Sequence, residues 1–328
     1  MVGNPIPNVV RKSIHSAVRP VARLVRKWIE PVPPTVRFAW HSVACRTSPP
    51  LESFELLLPS PTAIADRIQS GRYEPETLQL IQHLVVPGKA CFDIGAHYGY
   101  FTACLCRVAA DSPVHAFEPF PDHCARLRLA AKQNRFPNLQ VHETAVASVS
   151  GRLKLRVPAG PDDDDSMSYL QDFGGVPGEE AAEKYSKFSC IEVQAVTLDE
   201  LVPHQPKFIK IDAEGAESGI LTAGQTLLEE CRPRVIVEVH GIEPAVACAA
   251  MMHDLGYDSF AYGRPLTAAP LLFLHQSDAV ALSQLRRVDF RLRQLVRGKE
   301  SKPLSIAGRG GFVQALPTEA SESLEAGR

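Results

Sequence analysis

Apolar residues along this chain fall into two patterns: short continuous runs that stop at a polar residue or a glycine, and longer stretches where apolar positions recur every third or fourth residue. The clearest succession lies at 90–109. An apolar run from Ala90 to Ile94 is interrupted by Asp93 and stops at Gly95. Gly99 follows, and then Phe101, Leu105, Val108 and Ala109 recur at helical spacing. A buried strand, a tight glycine turn and a helix are predicted. The alternation continues in both directions. A helix over 74–85 places Leu78, Ile81 and Leu84 on one face. A strand from Pro113 to Phe117 stops at Glu118, a helix over 121–134 carries Cys124, Leu127 and Ala131, and Leu139 to His142 forms a third strand. Lys207–Ile211, stopping at Asp212, and Arg234–Val239, stopping near His240, read as the fourth and fifth. Helices are expected from about Glu217 to Leu221 and over 244–255, with Gly256 as a stop. Tyr257–Leu274 has room for two strands around GRPLTAAP. Strands alternating with helices imply a parallel sheet.

Other stretches break this rhythm. Residues 144–157 turn at Ser150-Gly151 and alternate Leu153, Leu155 and Val157, the pattern of a hairpin-like insertion ahead of a strand at Cys190–Val196. Residues 158–187, with DDDD at 162–165, read as a long acidic loop that is either a substrate cover or simply solvated. Residues 10–29 set Val10, Ile14, Val18, Val21, Val25 and Trp28 against six basic residues, with Pro20 kinking the segment. This is a basic amphipathic helix, suited to packing on the body, to an anionic membrane surface or to a transit function. Residues 31–50, with PVPP and SPP, read as a linker. Residues 284–297 read as a second basic amphipathic stretch, with Leu285, Val288, Leu292, Leu295 and Val296 near one face, and a disordered tail follows.

Charge sharpens this division. The net charge of the 328 residues is −2, which does not suggest a nucleic-acid binder. Residues 1–46 carry +7 and residues 286–310 carry +6, so the body is strongly acidic. The eight cysteines form no C-x-x-C pair and several sit in apolar runs, as expected of reduced core thiols in a cytoplasmic protein. No apolar run reaches the length of a membrane span, and the N-terminus lacks the apolar core of a secretory signal.

The chemistry gathers at strand ends. In an open parallel sheet, ligands bind outside the carboxyl ends of the strands. Asp93, Glu118, Asp212 and His240 each fall at such an end or just beyond it. The glycine turn reads D-x-G-x-x-x-G rather than G-x-G-x-x-G. An acid at position 93 repels a pyrophosphate but tolerates an ammonium group, which favours S-adenosylmethionine over a nicotinamide dinucleotide. Glu118, 19 residues after Gly99, stands near the distance at which an acidic residue accepts ribose hydroxyls. The alternative for Glu118 is a solvated acid at a helix start.

These residues also carry a resemblance. YEPETL (Tyr73–Leu78), FDIGAHYGYFT (Phe92–Thr102), FEPFP (Phe117–Pro121), TLDEL (Thr197–Leu201), FIKIDAEGAE (Phe208–Glu217) and VIVEVHG (Val235–Gly241) resemble, in order, the blocks of the FkbM-type methyltransferases over residues 70–260. One departure is His97, where the family usually has Asn. The resemblance implies an α/β class I methyltransferase (Rossmann-like) fold. That fold has a mostly parallel seven-stranded sheet with helices on both faces, here in residues 47–280. A basic N-terminal extension (1–46) and a basic helix with a tail (281–328) would flank it.

It further implies S-adenosylmethionine-dependent O-methylation of a hydroxyl on a sugar, glycolipid, polysaccharide or polyketide-like product. The cofactor would contact Asp93, Gly95, His97, Tyr98, Gly99, Glu118 and Asp212, with Phe101 beside Tyr98. Asp212, His240 and Glu214 would be catalytic. Glu217 is a further candidate, or else a helix N-terminal acid. A divalent cation on Asp212 and Glu214, with Glu238 as another oxygen, is open but not favoured. Two rival readings are a non-catalytic scaffold and a nicotinamide-dependent oxidoreductase. The expected location is the cytoplasm, with peripheral membrane contact through the basic ends and a small-molecule, glycan or lipid-linked acceptor as partner.

Overall fold

The computed structural model describes residues 39–47, 51–60, 62–158, 169–170, 188–263, 270–288 and 290–296. The basic segment at 10–29, and the acidic stretch 158–187 apart from Pro158 and 169–170, lie outside the described residues. In chain order the strands are β1 (Ala39–Cys45), β2 (Phe54–Ser60), β3 (Cys91–Ile94), β4 (Val114–Phe117), β5 (Leu139–His142), β6 (Ala145–Val146), β7 (Gly151–Pro158), β8 (Tyr169–Leu170), β9 (Phe188–Val196), β10 (Phe208–Ile211), β11 (Arg234–Val237), β12 (Tyr257–Tyr262), β13 (Leu271–His275) and β14 (Leu292–Val296). The α-helices are α1 (Ala63–Gln69), α2 (Pro75–Leu84), α3 (Tyr100–Ala109), α4 (Pro121–Asn134), α5 (Glu217–Thr222), α6 (Gln225–Cys231), α7 (Ile242–Asp254) and α8 (Ala279–Gln284).

An eight-stranded sheet organises the body, in the order β14-β12-β13-β11-β10-β3-β4-β5. The five strands from β11 to β5 are parallel, and β13, β12 and β14 are antiparallel. The expected seven-stranded, mostly parallel sheet is therefore present, with β14 added at one edge. Both faces are covered. Cys91 and Phe208 point into a cluster with α2 and α3, whereas Phe92, Ile94, Ile209 and Ile211 point into a second cluster with α5, α6 and α7. The two-residue alternation of a strand makes that division. Burial on both faces explains why these strands read as unbroken apolar runs. His115 of β4 sits on the second face, edge-on to Phe92, with its Nδ1 2.9 Å from His142 Nε2 and the His204 ring 4.4 Å away.

Four expectations need correction. Residues 39–45 are not linker but β1, paired antiparallel with β2. Phe54, Leu56 and Leu58 alternate into the core, and Asn134 of α4 clamps Glu55 by bonding both its N–H and its carbonyl, at 2.7 and 2.8 Å. Residues 144–157 do not pair with each other as a hairpin. β6 lies parallel to β9 and β7 antiparallel to it, giving a four-stranded sheet β6-β9-β7-β8, because the long β9 takes the place between them. The basic stretch 284–297 is not a helix. It ends α8, makes one 3-10 turn (Leu285–Arg287) and then extends as β14, because the free edge of β12 offers hydrogen bonds that a short helix could not match. The fold therefore runs at least from 39 to 296, beyond the expected 47–280 on both sides.

Candidate active site

The strand order reverses at β3: β4 and β5 lie to one side, and β10 and β11 to the other. Such a reversal opens a crevice at the carboxyl ends of the two central strands. Here the two exits touch. Asp212 N–H donates to Ile94 O at 3.0 Å, and a Cβ on residue 95 would lie 1.8 Å from the Asp212 carbonyl oxygen. Only glycine fits, and its φ of +77° agrees. Gly95 and Ala96 N–H both donate to Phe117 O, which pins the turn to the end of β4. Gly99 caps α3 in the left-handed region, with Leu127 packed against it.

A cleft of about 240 Å³ lies over this crevice, lined by Gly95, His97, Glu118, Asp212, Glu214 and His240 among others. Leu155 of β7 and Ala145 and Val146 of β6 form part of its wall, so the inserted sheet borders the site. A smaller adjoining cavity is lined by Asp93, Gly95, His97, Tyr98, Phe101, Lys210 and Asp212. Tyr98 is buried, its ring against His97 and His123, and reaches the smaller cavity only.

Seven non-glycine residues have positive φ among those described. Arg135, Gln205 and Arg232 are helix C-caps in the left-handed region, where such a backbone is ordinary, and Ala110 ends α3 outside that region, with φ 51° and ψ −108°. The other three, Glu74, His97 and Glu214, all line the cleft. Ala110 apart, the strain left over after capping is concentrated at one place, as at functional sites generally. It also accounts for position 97: Asn and His are both enriched in the left-handed region.

On the β3–β4 side the acids are paired within the protein. Asp93 Oδ2 accepts from Thr102 Oγ1 at 2.5 Å, and Asp93 Oδ1 is buried with no hydrogen-bond partner among the described residues. Burial pushes the Asp93 pKa up, opposed by Lys210 and the Thr102 hydroxyl. Glu118 is buried and accepts from His97 N at 2.8 Å and from Phe120 N at 2.9 Å, with His123 Nδ1 3.6 Å away. Burial alone would raise its pKa, but His123 and the Phe120 N–H outweigh this and hold it below the usual carboxylate range.

The β10–β11 side is different. His240 Nε2 lies 3.6 Å from Asp212 Oδ1, 3.7 Å from Glu214 Oε2 and 4.0 Å from Glu217 Oε1. Burial pushes Glu214 up to about 8, with the Asp212 charge adding to it. His240 is pushed up to about 9 by its interaction with Asp212 and by Glu214, against the opposing effect of burial. Burial also favours protonated Asp212, yet Lys210 and His240 prevail and keep it firmly ionised. Glu217 is wholly buried, its pKa raised, and its Oε1 accepts from Ala213 N and Gly215 N.

Lys210 was not singled out by the sequence reading. It is opposite Asp93 in the ladder, buried, and donates to Asp212 Oδ2 at 3.2 Å. Its Nζ lies 4.9 Å from the centre of the Phe101 ring. The two acids hold its pKa well above the ordinary lysine value, although burial acts the other way. A lysine inside an otherwise apolar, doubly buried strand was the available signal.

A family model described as Methyltransferase FkbM domain matches residues 93–259. Among solved structures, a methyltransferase FkbM from Methylobacillus flagellatus aligns at 16% identity and TM-score 0.39, over 64% of this chain and 52% of that one. The chain thus spans about half of that relative's length. A SAM-dependent O-methyltransferase from Thermotoga maritima aligns at 12% identity and TM-score 0.39, over 70% of this chain and 76% of that one. No curated protein matches the chain. No helix among the described residues is long and apolar enough to cross a membrane.

Proposed function

The chain belongs to the FkbM methyltransferase family, and from that premise we propose that it transfers a methyl group from S-adenosylmethionine to a hydroxyl of a sugar, glycolipid, polysaccharide or polyketide-like acceptor. The observation that carries this reading is the crevice itself, where Gly95 is pressed on Asp212 and two buried carboxylates stand beside it.

The residues fit the cofactor. Asp93 Oδ1, with no hydrogen-bond partner among the described residues, suits an ammonium or an ordered water next to it, and Glu118 keeps lone pairs for ribose hydroxyls after accepting two backbone N–H groups. When bound, the cofactor supplies an electrophilic methyl on a sulfonium. Asp93, Glu118 and the glycine turn hold and orient it, and much of the rate comes from that alignment. Transfer of that methyl group would require the acceptor hydroxyl to give up its proton, and Asp212, the ionised member of the Asp212–His240–Glu214 cluster, would take it, with His240 and Glu214 relaying protons beyond. The three titrate as one unit rather than as separate bases. Oxygen as the acceptor atom, and the acceptor class, follow from the family resemblance.

S-adenosylhomocysteine should raise the melting temperature of the full chain, and the shift should vanish in Glu118→Ala. No shift in the wild-type protein would leave a methyltransferase fold serving as a scaffold. The basic segment at 10–29 supports a second part of the proposal: the enzyme meets a lipid-linked acceptor at an anionic membrane surface, in the cytoplasm. The full chain should co-sediment with anionic liposomes and a chain trimmed to 38–328 should not. Equal behaviour of the two would remove the membrane step.

A further inference from the structure

We propose that Asp212, Glu217 and His240 form a divalent-cation site of the Mn²⁺ class beside the cleft that Asp212 and His240 line. One donor atom from each lies within 4.8 Å of the others. Donors sharing one ion at about 2.1 Å from each are at most ~4.2 Å apart. The 3.6 and 4.0 Å separations from His240 Nε2 already satisfy this, and any remaining adjustment is below about 1 Å. The independent observation is Glu217. Its side chain is completely buried; its Oε1, the oxygen 4.0 Å from His240 Nε2, is oriented by two backbone N–H groups, and its other oxygen, Oε2, has no hydrogen-bond partner among the described residues, so the carboxylate as a whole is short of partners. A buried carboxylate oxygen without a partner is costly unless something cationic completes it.

The donor set differs from the one the sequence suggested. Glu217, three residues beyond Glu214 and held rigid by the turn, replaces Glu214 and Glu238 as the second carboxylate. Glu214, 3.7 Å from His240, remains in reach as a fourth oxygen donor. Two carboxylates with one imidazole suit Mn²⁺ or a similar borderline ion better than Ca²⁺. Three protein donors leave positions for water or for an acceptor oxygen. On the methyltransferase reading, and only there, the ion would bind the acceptor hydroxyl and lower its pKa, with the released proton leaving to the cluster or to solvent.

Paramagnetic resonance titration of Mn²⁺ into the full chain tests the site, with S-adenosylhomocysteine calorimetry run on the same samples. Wild-type protein should bind one Mn²⁺. Glu217→Gln retains a carbonyl oxygen for the Ala213 and Gly215 N–H groups, and His240→Ala changes a partly exposed residue, so both should fold. Each should weaken Mn²⁺ by more than the ~10–100-fold typical of losing an outer partner, with homocysteine-adduct affinity kept. No Mn²⁺ binding by the wild type, or undiminished binding by either variant, overturns the site. Mn²⁺ binding without S-adenosylhomocysteine binding would overturn the methyltransferase reading and leave the ion site standing.

Discussion

The two sides of the crevice use the same residue types to opposite ends. At the β3–β4 corner, Asp93 and Glu118 are buried and tied to Thr102, to backbone N–H groups and to His123, and Glu118 is held below the ordinary carboxylate range. At the β10–β11 corner, Asp212, Glu214 and Glu217 crowd one half-exposed histidine, and two of the three acids are pushed up. The first corner is preorganised to hold something. The second is a reservoir of protons and ligand atoms. Histidines repeat the lesson: His240 among carboxylates rises to about 9, whereas His115, desolvated beside two other histidines, falls to about 4. Neighbours, not residue type, decide the chemistry.

The contrast can be broken at the point where the corners touch. Gly95→Ala should abolish both at once, destabilising the fold by about 4 kcal/mol or more in urea unfolding. Gly151→Ala, also at positive φ but with open space around its Cβ, should cost only about 1 kcal/mol. Lys210 is the charge the corners share. Lys210→Met leaves Asp93 and Asp212 without their buried counter-charge and should cost about 3–5 kcal/mol by the same measurement. An effect near zero would mean that the acids protonate and that the corners are electrically independent.

A finer cut separates binding from turnover. Asp212→Asn should lower methyl transfer to an acceptor found with labelled donor by roughly 10²-fold or more, with a much smaller loss of S-adenosylhomocysteine affinity. Equal losses would place Asp212 with the holding corner. A pH-dependent effect concerns His115, whose folded pKa lies below the unfolded value. The unfolded chain therefore gains its proton first, and stability present above pH 6.5 is lost as pH falls toward about 4. Unfolding midpoints at pH 7 and 5 should differ less in His115→Phe, by on the order of 1–2 kcal/mol.

Much of this architecture could be read from the residues. The parallel strands announce themselves because burial on both faces makes each an apolar run ending in a polar residue or a turn, and several of those end residues line the cleft and its adjoining cavity. What escaped depends on partners distant in the chain. β1 lies among the prolines of 31–50, the composition of a linker, and only its pairing with the Phe54, Leu56 and Leu58 alternation of β2 makes it a strand. Residues 292–296 are short enough for helical and strand periods to fit equally, and only the free edge of β12 decides between them. For Glu217 the residues alone fit a site acid and a helix-start acid equally. Its complete burial, with Oε1 held by the Ala213 and Gly215 N–H groups of the turn, shows only in the folded chain.

The position of β3 has a consequence for how the chain is made. It is the middle one of the five parallel strands, yet its partner β10 is synthesised only after β4, β5 and the whole inserted sheet, and the edge strand β14 comes later still. As the chain leaves the ribosome, β3 can pair on one side only, and its other edge must wait. The glycine turn that forms the crevice is therefore shaped late, when Asp212 arrives to press on Gly95. A nascent chain cut short before 208 would expose a half-paired apolar strand, a liability that slow, long-range parallel pairing prolongs.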